Sequence, residues 1–165
     1  MNKHVSVKMN RRAFVIGSAT LGAGLAIGLD IPFGGPAVVR AADGSPEIGA
    51  GVADFVARAK ASNPKLAYCC DPVIGDRDRG LFVPADLPPL VRDRVCPLAD
   101  IITPNHFEFE WLSGAKATTS AQLIAAAQAL MALKPSVVIV TSAELEDTPR
   151  GEIETVAIEK SAEGI

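Results

Sequence analysis

The sequence has few cysteines, and their positions argue against a domain stabilised by disulfides or by a zinc site. The chain of 165 residues has three, Cys69, Cys70 and Cys96. A disulfide framework needs an even set of spaced cysteines, and a zinc site needs pairs such as C-x-x-C with further ligands. Cys69 and Cys70 are adjacent, and vicinal cysteines bridge only with strain. We therefore predict reduced thiols that pack beside a core strand.

Histidine and aromatic residues are also scarce. The histidines are His4 and His106, and aromatic residues make up 5% of the chain. This shortage argues against a Ser-His-Asp triad. His106 is predicted to be a surface or packing residue rather than a base, because no nucleophile or second ligand accompanies it in sequence. Phe107 and Trp111 fall on one face of a predicted helix, and we expect them to lie in the core.

An excess of basic charge is missing from the larger part of the chain. The net charge is −3, and residues 1–50 hold five basic and three acidic residues, which leaves 11 basic and 16 acidic residues in 51–165. A body with a net charge of −5 lacks the positive field that gathers a phosphate backbone. We therefore expect no nucleic-acid partner.

No hydrophobic run is long enough for a stable membrane span. The longest uncharged run near the N-terminus, residues 13–29, has 17 residues and four glycines, whereas a span needs about 20 apolar residues. It follows Arg11-Arg12, and Val39-Arg40-Ala41 offers small residues at the −3 and −1 positions of a cleavage site. The pattern predicts a twin-arginine-like signal segment over residues 1–41. An uncleaved helix on the membrane surface is the alternative.

The start of the chain also resembles a known type of leader. Residues 11–17 (RRAFVIG) and 41–44 (AADG) are similar to the leaders of exported molybdopterin-dependent aldehyde or isoquinoline oxidoreductases. The resemblance ends near Ala50, and the cofactor segments of such enzymes do not follow it. We therefore divide the chain into the signal segment 1–41, a junction at 42–50 and a separate body at 51–165.

Strand patterns recur along the body. Compact apolar runs occupy residues 66–70 and 137–141, a short strand is predicted over residues 100–103, and a weaker alternation covers residues 153–158. Buried runs that helical segments separate are typical of right-handed βαβ units, so we predict an α/β fold with a mostly parallel sheet. The last run is predicted to be an edge strand.

Helical patterns lie between these strands. Apolar residues at helical spacing predict a helix from Val52 to about Ser62 and an amphipathic helix that begins at Thr119 or Ser120 and continues to Leu133. One or two helical turns are predicted over residues 88–96. A further helix is predicted over residues 105–112, with a capping box formed by Asn105 and Glu108.

Polar side chains follow the predicted strands at the points where the strands end. Ligands of open parallel sheets bind at the carboxyl ends of the strands, where helix N-termini and loops face a crevice. Carboxylates and hydroxyls there suit a magnesium-nucleotide. Two alternatives stay open: Asn105 and Glu108 only cap a helix, and Asp71 only forms a turn. The candidate residues are Asp71, Thr103, Asn105, Glu108, Thr141 and Ser142.

Three blocks of the body resemble one enzyme family. Residues 68–76 (YCCDPVIGD) with Arg79-Gly80, residues 99–108 (ADIITPNHFE) and residues 138–142 (VIVTS) are similar in order and spacing to pyridoxal kinases. The resemblance covers about residues 51–160. It implies part of a ribokinase-like three-layer α/β sandwich. The implied activity is transfer of the ATP γ-phosphate to the 5′-hydroxymethyl group of pyridoxal, a step of vitamin B6 salvage. Hydroxymethylpyrimidine kinases share two of the blocks and are an alternative.

The resemblance implies roles for individual residues. Asp71, Thr103, Glu108 and Thr141 would line the site for ATP and its cation, with Asn105 and Ser142 as weaker nucleotide contacts. Asp76 and Glu108 would orient Mg²⁺. The expected substrates are ATP and pyridoxal, and homodimers are common among such kinases. The general-base aspartate of the family lies in a Gly-x-Gly-Asp turn expected beyond Ile165, so we assign no catalytic base and expect impaired kinase activity.

The signal segment and the body predict different locations. A vitamin kinase works in the cytoplasm, where ATP is supplied, whereas a genuine twin-arginine leader would direct the chain to the periplasm. A foreign leader joined to part of a kinase reconciles the two patterns. The alternative from another functional class is an exported, non-catalytic binding domain.

Overall fold

The fold is seen in a computed structural model that describes residues 3–10 and 46–160. Most of the predicted signal segment and the start of the junction lie outside the described residues. The body begins in a helix, α1, which runs from Pro46 to Ser62. That start falls within the predicted junction. The helix ends, as predicted, just before Asn63-Pro64.

A five-stranded sheet organises the molecule. Its strands are β1 (Lys3–Asn10), β2 (Cys69–Cys70), β5 (Ile101–Ile102), β6 (Val137–Ala143) and β7 (Glu152–Glu159), in the order β1-β7-β6-β5-β2. The pairs β2 with β5 and β5 with β6 are parallel, and β7 is antiparallel to both β6 and β1. The predicted α/β fold with parallel crossovers is confirmed.

The prediction that residues 153–158 form an edge strand is wrong for the sheet that is described. β7 pairs with β6 on one side and with all eight residues of β1 on the other. Ile153, Glu154, Val156 and Ile158 are all buried. Because Ile153 and Glu154 point to opposite faces of the sheet, both faces of the strand carry a buried residue and its alternation is weak.

Two very short strands form a hairpin outside the main sheet. β3 (Gly75–Asp76) and β4 (Gly80–Leu81) are antiparallel, and residues 77–79 form the turn. Gly80 has a φ of +73°, a conformation that glycine adopts without the steric cost of a side chain. The hairpin places Asp76 near the turn.

The remaining helices follow the predicted pattern. A helical segment runs from α2 (Leu87–Leu90) through a π-helical turn (Val91–Val95) to a 3₁₀ turn (Cys96–Leu98), and it packs against α1. α3 (His106–Ser113) packs against α4 (Ser120–Met131) and β6. None of the helices described in residues 46–160 combines the length and hydropathy that a membrane crossing requires.

The core lies between the sheet and these helices. Its fully buried side chains include Tyr68, Phe109 and Ile102, and the predicted apolar stripe of α4 is buried at Leu123, Ala127, Leu130 and Met131. All three cysteines are free thiols, and Cys70 and Cys96 belong to the core. The prediction for Trp111 is wrong, because its side chain is 43% exposed. Trp111 packs only obliquely on Phe107, with ring centroids 6.5 Å apart.

Candidate active site

The carboxyl ends of the three parallel strands meet, as predicted from the order of the polar residues. The Thr103 amide donates a hydrogen bond of 2.9 Å to the Cys70 carbonyl, and the Thr141 amide donates one of 2.9 Å to the Pro104 carbonyl. Asn105 and Thr141 form an isolated parallel bridge. The structure therefore brings the segments at 71, 103–105 and 141–142 to one edge of the sheet.

Asn105 and Glu108 form the predicted capping box at the start of α3. The Asn105 side chain accepts a hydrogen bond of 2.9 Å from the Glu108 amide, and the Glu108 Oε2 atom accepts one of 2.9 Å from the Asn105 amide. Asn105 also donates from Nδ2 to the Gly75 carbonyl at 2.8 Å. The cap thus ties the helix N-terminus to the hairpin, which a helix cap alone would not do.

The second oxygen of Glu108 supports the loop before the hairpin. Glu108 Oε1 accepts hydrogen bonds from the Ile74 amide at 2.8 Å and from the Gly75 amide at 3.4 Å. The residue is 3% exposed. Burial raises the pKa of Glu108 to about 7 against the effect of its backbone hydrogen bonds, and the charge of Asp71 adds to the increase. Glu108 is therefore a desolvated acid close to Asp71.

Asp71 is the second desolvated acid of the site. It lies directly after β2, is half-buried, and burial raises the pKa of its carboxyl group. Within residues 46–160, neither Asp71 nor Glu108 forms an ion pair with a lysine or arginine side chain. Two desolvated carboxylates without such a partner favour a bound cation that would stabilise their charged forms.

Gly75 allows the hairpin to approach α3 closely. A Cβ atom at this position would lie 2.5 Å from the Gly80 carbonyl oxygen and 2.6 Å from Cε1 of Phe107. These distances are too short for any side chain. Glycine at position 75 is therefore required for the contact through which Asn105 and Glu108 hold the loop.

Asp76 lies in β3, next to the hairpin turn, and its role beside Glu108 in orienting Mg²⁺ stays a prediction. Arg79 donates to the Asp76 carboxylate from its backbone amide and from its guanidinium group. Slight desolvation opposes ionisation, but these hydrogen bonds hold the pKa of Asp76 below its ordinary value. No group of three or more His, Cys, Asp or Glu side chains that could hold a metal ion occurs within the described part of the chain.

Two residues with side chains adopt left-handed backbone conformations near the strand ends. Val73 has a φ of +43°, and Ser142 has a φ of +52° in an irregularity of β6 between Val140 and Ala143. Such conformations cost about 1–3 kcal/mol and gather at ligand sites. The pattern of residues predicted Ser142 from its place after a strand, whereas nothing in the sequence indicated Val73.

An open cleft of about 540 Å³ is lined by residues of α3 and of the segments around Ala117 and Glu144, and by none of the six candidate strand-end residues. His106 lies at its wall and is buried, so of the two predicted roles, surface or packing, the structure favours packing. Its Nε2 atom is 2.8 Å from the Ala117 carbonyl, and its Nδ1 atom accepts a hydrogen bond of 3.2 Å from the Glu144 amide. Burial lowers the pKa of His106. The neutral ring therefore joins the segments at Ala117 and Glu144.

Comparison with known proteins gives a consistent family. The sequence profile described as phosphomethylpyrimidine kinase matches residues 48–163. The pyridoxal kinase PdxY of Leifsonia xyli is 46% identical over 123 residues, which are 74% of this chain and 44% of that protein. The pyridoxal kinase of Sus scrofa is 43% identical over 110 residues, which are 65% of this chain and 34% of that protein. This chain thus spans less than half the length of these relatives.

Solved structures show the same fold. The pyridoxal kinase of Leishmania donovani in complex with ADP and pyridoxine aligns with a TM-score of 0.57 and 29% identity, over 64% of this chain and 36% of that one. The phosphomethylpyrimidine kinase of Clostridium difficile aligns with a TM-score of 0.59 and 26% identity, over 71% and 47%. The resemblance to pyridoxal kinases is confirmed, and the chain belongs to the ribokinase-like phosphomethylpyrimidine kinase family.

Proposed function

We propose that this chain supplies the nucleotide-binding part of an ATP-dependent kinase that phosphorylates the hydroxymethyl group of pyridoxal. The observation that carries the proposal is the strand-end site, where the desolvated carboxylates of Asp71 and Glu108 lie near each other without a basic partner among residues 46–160. A kinase needs a cation and positioned donors at such a site to balance the phosphate charges. Relatives named as pyridoxal kinases favour pyridoxal as the acceptor.

The proposal gives each site residue a role. Asp71 favours a cation beside the phosphates, while Thr103, Thr141 and Ser142 offer hydroxyl groups at the strand ends. Asn105 and Glu108 hold the N-terminus of α3 and the loop at Ile74 and Gly75 in place, because their side chains contact both. A helix N-terminus held in this way presents amide groups to an anion. The proposal assigns no general base within this chain.

The carboxylates of the site suit a Mg²⁺ ion that also binds the phosphates of the nucleotide. Mg²⁺ commonly binds one or two carboxylates together with waters and phosphate oxygens, and Asp71 and Asp76 offer carboxylate oxygens of this kind. When bound, Mg²⁺ neutralises charge on the β- and γ-phosphate oxygens. Both oxygens of the Glu108 carboxylate accept hydrogen bonds from backbone amides. Direct ligation of Mg²⁺ by Glu108 would have to compete with these bonds, and it stays a prediction.

Nucleotide binding tests the proposal directly. In the presence of Mg²⁺, ADP at ten times its Kd adds about 1.4 kcal/mol to the stability of the folded chain. For a chain of this size the melting temperature would rise by roughly 3–6 °C. The Asp71→Asn variant is expected to lose most of this increase, since it removes the charge that favours the cation. Differential scanning fluorimetry measures both shifts.

Asp86→Asn is the matched control, because Asp86 is exposed and its side chain makes no capping hydrogen bond at α2. This variant is expected to keep the wild-type ADP shift. The absence of any ADP shift in the wild-type chain would contradict the proposal. An equal loss in Asp71→Asn and Asp86→Asn would contradict the role of Asp71.

A second acceptor is favoured by the family profile and by the Clostridium difficile structure, both of which are named for phosphomethylpyrimidine kinase. Pyridoxal carries a hydroxymethyl group and phosphomethylpyrimidine a phosphomethyl group on a heteroaromatic ring, so the same nucleotide site could serve transfer to either acceptor. Stabilisation by pyridoxal, but not by hydroxymethylpyrimidine phosphate, in the presence of ADP would favour the first. We expect either kinase to act in the cytoplasm, where ATP is supplied.

A further inference from the structure

The turn of the hairpin holds the Asp76 carboxylate in a clamp. The Arg79 amide donates to Oδ1 at 2.7 Å, and the Arg79 Nε and Nη2 atoms donate to Oδ2 at 3.0 and 2.8 Å. Both carboxylate oxygens of Asp76 are therefore engaged. A guanidinium fork suits a carboxylate because its donors lie in one plane.

Phe82 supports the clamp from the other side. The guanidinium carbon of Arg79 lies 4.4 Å from the centroid of the Phe82 ring, and Phe82 is 45% exposed. A cation over an aromatic face is stabilised by the charge distribution of the ring. The Arg79 side chain is thus held between a carboxylate and a ring, although 73% of its surface remains exposed.

We propose that the Arg79 guanidinium binds the Asp76 carboxylate when no nucleotide is bound, and that it competes for this carboxylate with the divalent cation of the nucleotide. The inference rests on the proposed function, in which Asp76 is a ligand of that cation. A carboxylate oxygen that accepts hydrogen bonds from a guanidinium group cannot present the same lone pair to Mg²⁺, which demands close and regular oxygen ligands. Arg79 therefore raises the cation concentration that the nucleotide site requires.

The exposure of the pair sets the size of the effect. Exposed ion pairs are weak because solvent screens them and the long side chain loses freedom on pairing. A cation can therefore displace Arg79 rather than be excluded by it. We expect removal of the Arg79 charge to lower the half-saturating cation concentration by about two- to fivefold. Weakening the Phe82 contact is expected to produce a smaller change in the same direction.

The experiment measures Mn²⁺ binding by electron paramagnetic resonance, with the full chain and an excess of ADP. Arg79→Gln is expected to bind Mn²⁺ more tightly than the wild-type chain, and Phe82→Leu is expected to lie between them. In the Asp76→Asn background, Arg79→Gln is expected to change nothing. Melting temperatures without ligand show that each variant is folded, and all three positions are at least partly exposed.

Arg77→Gln is the matched control for charge. Arg77 lies in the same turn, but its Nη2 atom is 3.3 Å from Nδ1 of His106 rather than on Asp76. An equal gain in Arg77→Gln and Arg79→Gln would overturn the inference, because general electrostatics would then explain both. An unchanged Mn²⁺ dependence in Arg79→Gln, with ADP still bound, would overturn it while leaving the proposed function intact. If neither the wild-type chain nor any variant binds ADP, both the inference and the proposed function are overturned.

Discussion

Glu108 shows how two opposing effects act on one side chain. Three backbone amides donate to its carboxylate, which favours the charged form, while near-complete burial favours the neutral form. Burial is the larger effect and raises the pKa to about 7. Glu108 therefore binds a proton over a pH range in which an ordinary glutamate is charged.

This difference predicts how stability depends on pH. The folded-state pKa of Glu108 lies above its ordinary value of 4.5, so the folded chain binds more protons than the unfolded chain between about pH 4.5 and 7. Stability from this group is complete below pH 4.5 and is lost as the pH rises towards 7. Between pH 5 and 8 we expect the wild-type chain to lose on the order of 2–3 kcal/mol relative to Glu108→Gln. Urea denaturation at each pH measures the difference.

Glu146→Gln is the control for this measurement, because Glu146 has an exposed side chain and the variant keeps Glu108. It is expected to follow the wild-type pH profile. The Glu108→Gln variant is also expected to be less stable at low pH by about 1–3 kcal/mol, since its amide group turns one backbone amide into an unsatisfied donor. Parallel pH profiles for the wild-type chain and Glu108→Gln would contradict the raised pKa.

At the scale of elements, the contact between the hairpin and α3 depends on a single glycine. Gly75→Ala would place a methyl group against the Gly80 carbonyl and the Phe107 ring. We expect it to cost about 1–3 kcal/mol or more, because the backbone must move to make room. Gly51 lies in the middle of α1, and a Cβ atom at this position would have no atom within 4 Å. Gly51→Ala is therefore expected to stabilise the chain by about 0.5–1 kcal/mol.

Chemical denaturation of the two variants tests these predictions, since the free energy of unfolding is expected to fall in Gly75→Ala and to rise in Gly51→Ala. Both substitutions add one methyl group at a glycine, so general effects of the added alanine on the unfolded chain are the same. A stable Gly75→Ala variant with an unchanged ADP shift would show that the hairpin does not need close contact with α3. Destabilisation by Gly51→Ala would show that α1 is not a regular helix in solution.

The sequence predicted those elements whose signals are local. The helix that begins at His106 was predicted because Asn105 and Glu108 have the spacing of a capping box, and α4 was predicted from Thr119 and its apolar stripe. The hairpin of β3 and β4 was not predicted, because strands of two residues have no measurable alternation. The clamp of Arg79 on Asp76 depends on that hairpin, so the sequence could not reveal it.

The candidate site was predictable in part for the same reason. Parallel strands bring their carboxyl ends together whatever the loops do, so the grouping of Thr103, Asn105 and Thr141 followed from the strand order. Which carboxylate faces a cation depends on side-chain contacts that the strand order does not fix. Glu108 contacts Ile74, for example, and Asp76 contacts Arg79. Those contacts became visible only in the structure.

At the scale of the whole molecule, the two strands that pair at one edge of the described sheet, β1 and β7, come from distant parts of the chain. The sequence interpretation assigned Lys3–Asn10 to the basic start of a signal segment, whereas the structure pairs these residues with all of β7. Alternation of Val5, Val7 and Met9 is compatible with a strand. The two interpretations differ in whether β7 keeps a neighbour on its outer side.

Hydrogen exchange of the β7 amides separates these interpretations. In the full chain, amides along both sides of Glu152–Glu159 are expected to be protected, because β6 and β1 both accept hydrogen bonds from the strand. In a chain that begins at Ala42, the predicted cleavage product, alternate β7 amides are expected to exchange much faster, since an edge strand points every second amide to solvent. NMR-detected exchange measures each amide.

The β6 amides from Val138 to Val140 provide the internal control. β6 lies between β5 and β7, so its amides are expected to stay protected in both chains as long as the fold survives. Equal β7 protection in the two chains would show that residues 3–10 do not pair with β7 in solution. Faster exchange confined to alternate β7 amides would show that these residues complete the sheet, and that cleavage after Ala41 would expose a strand edge open to pairing with another chain.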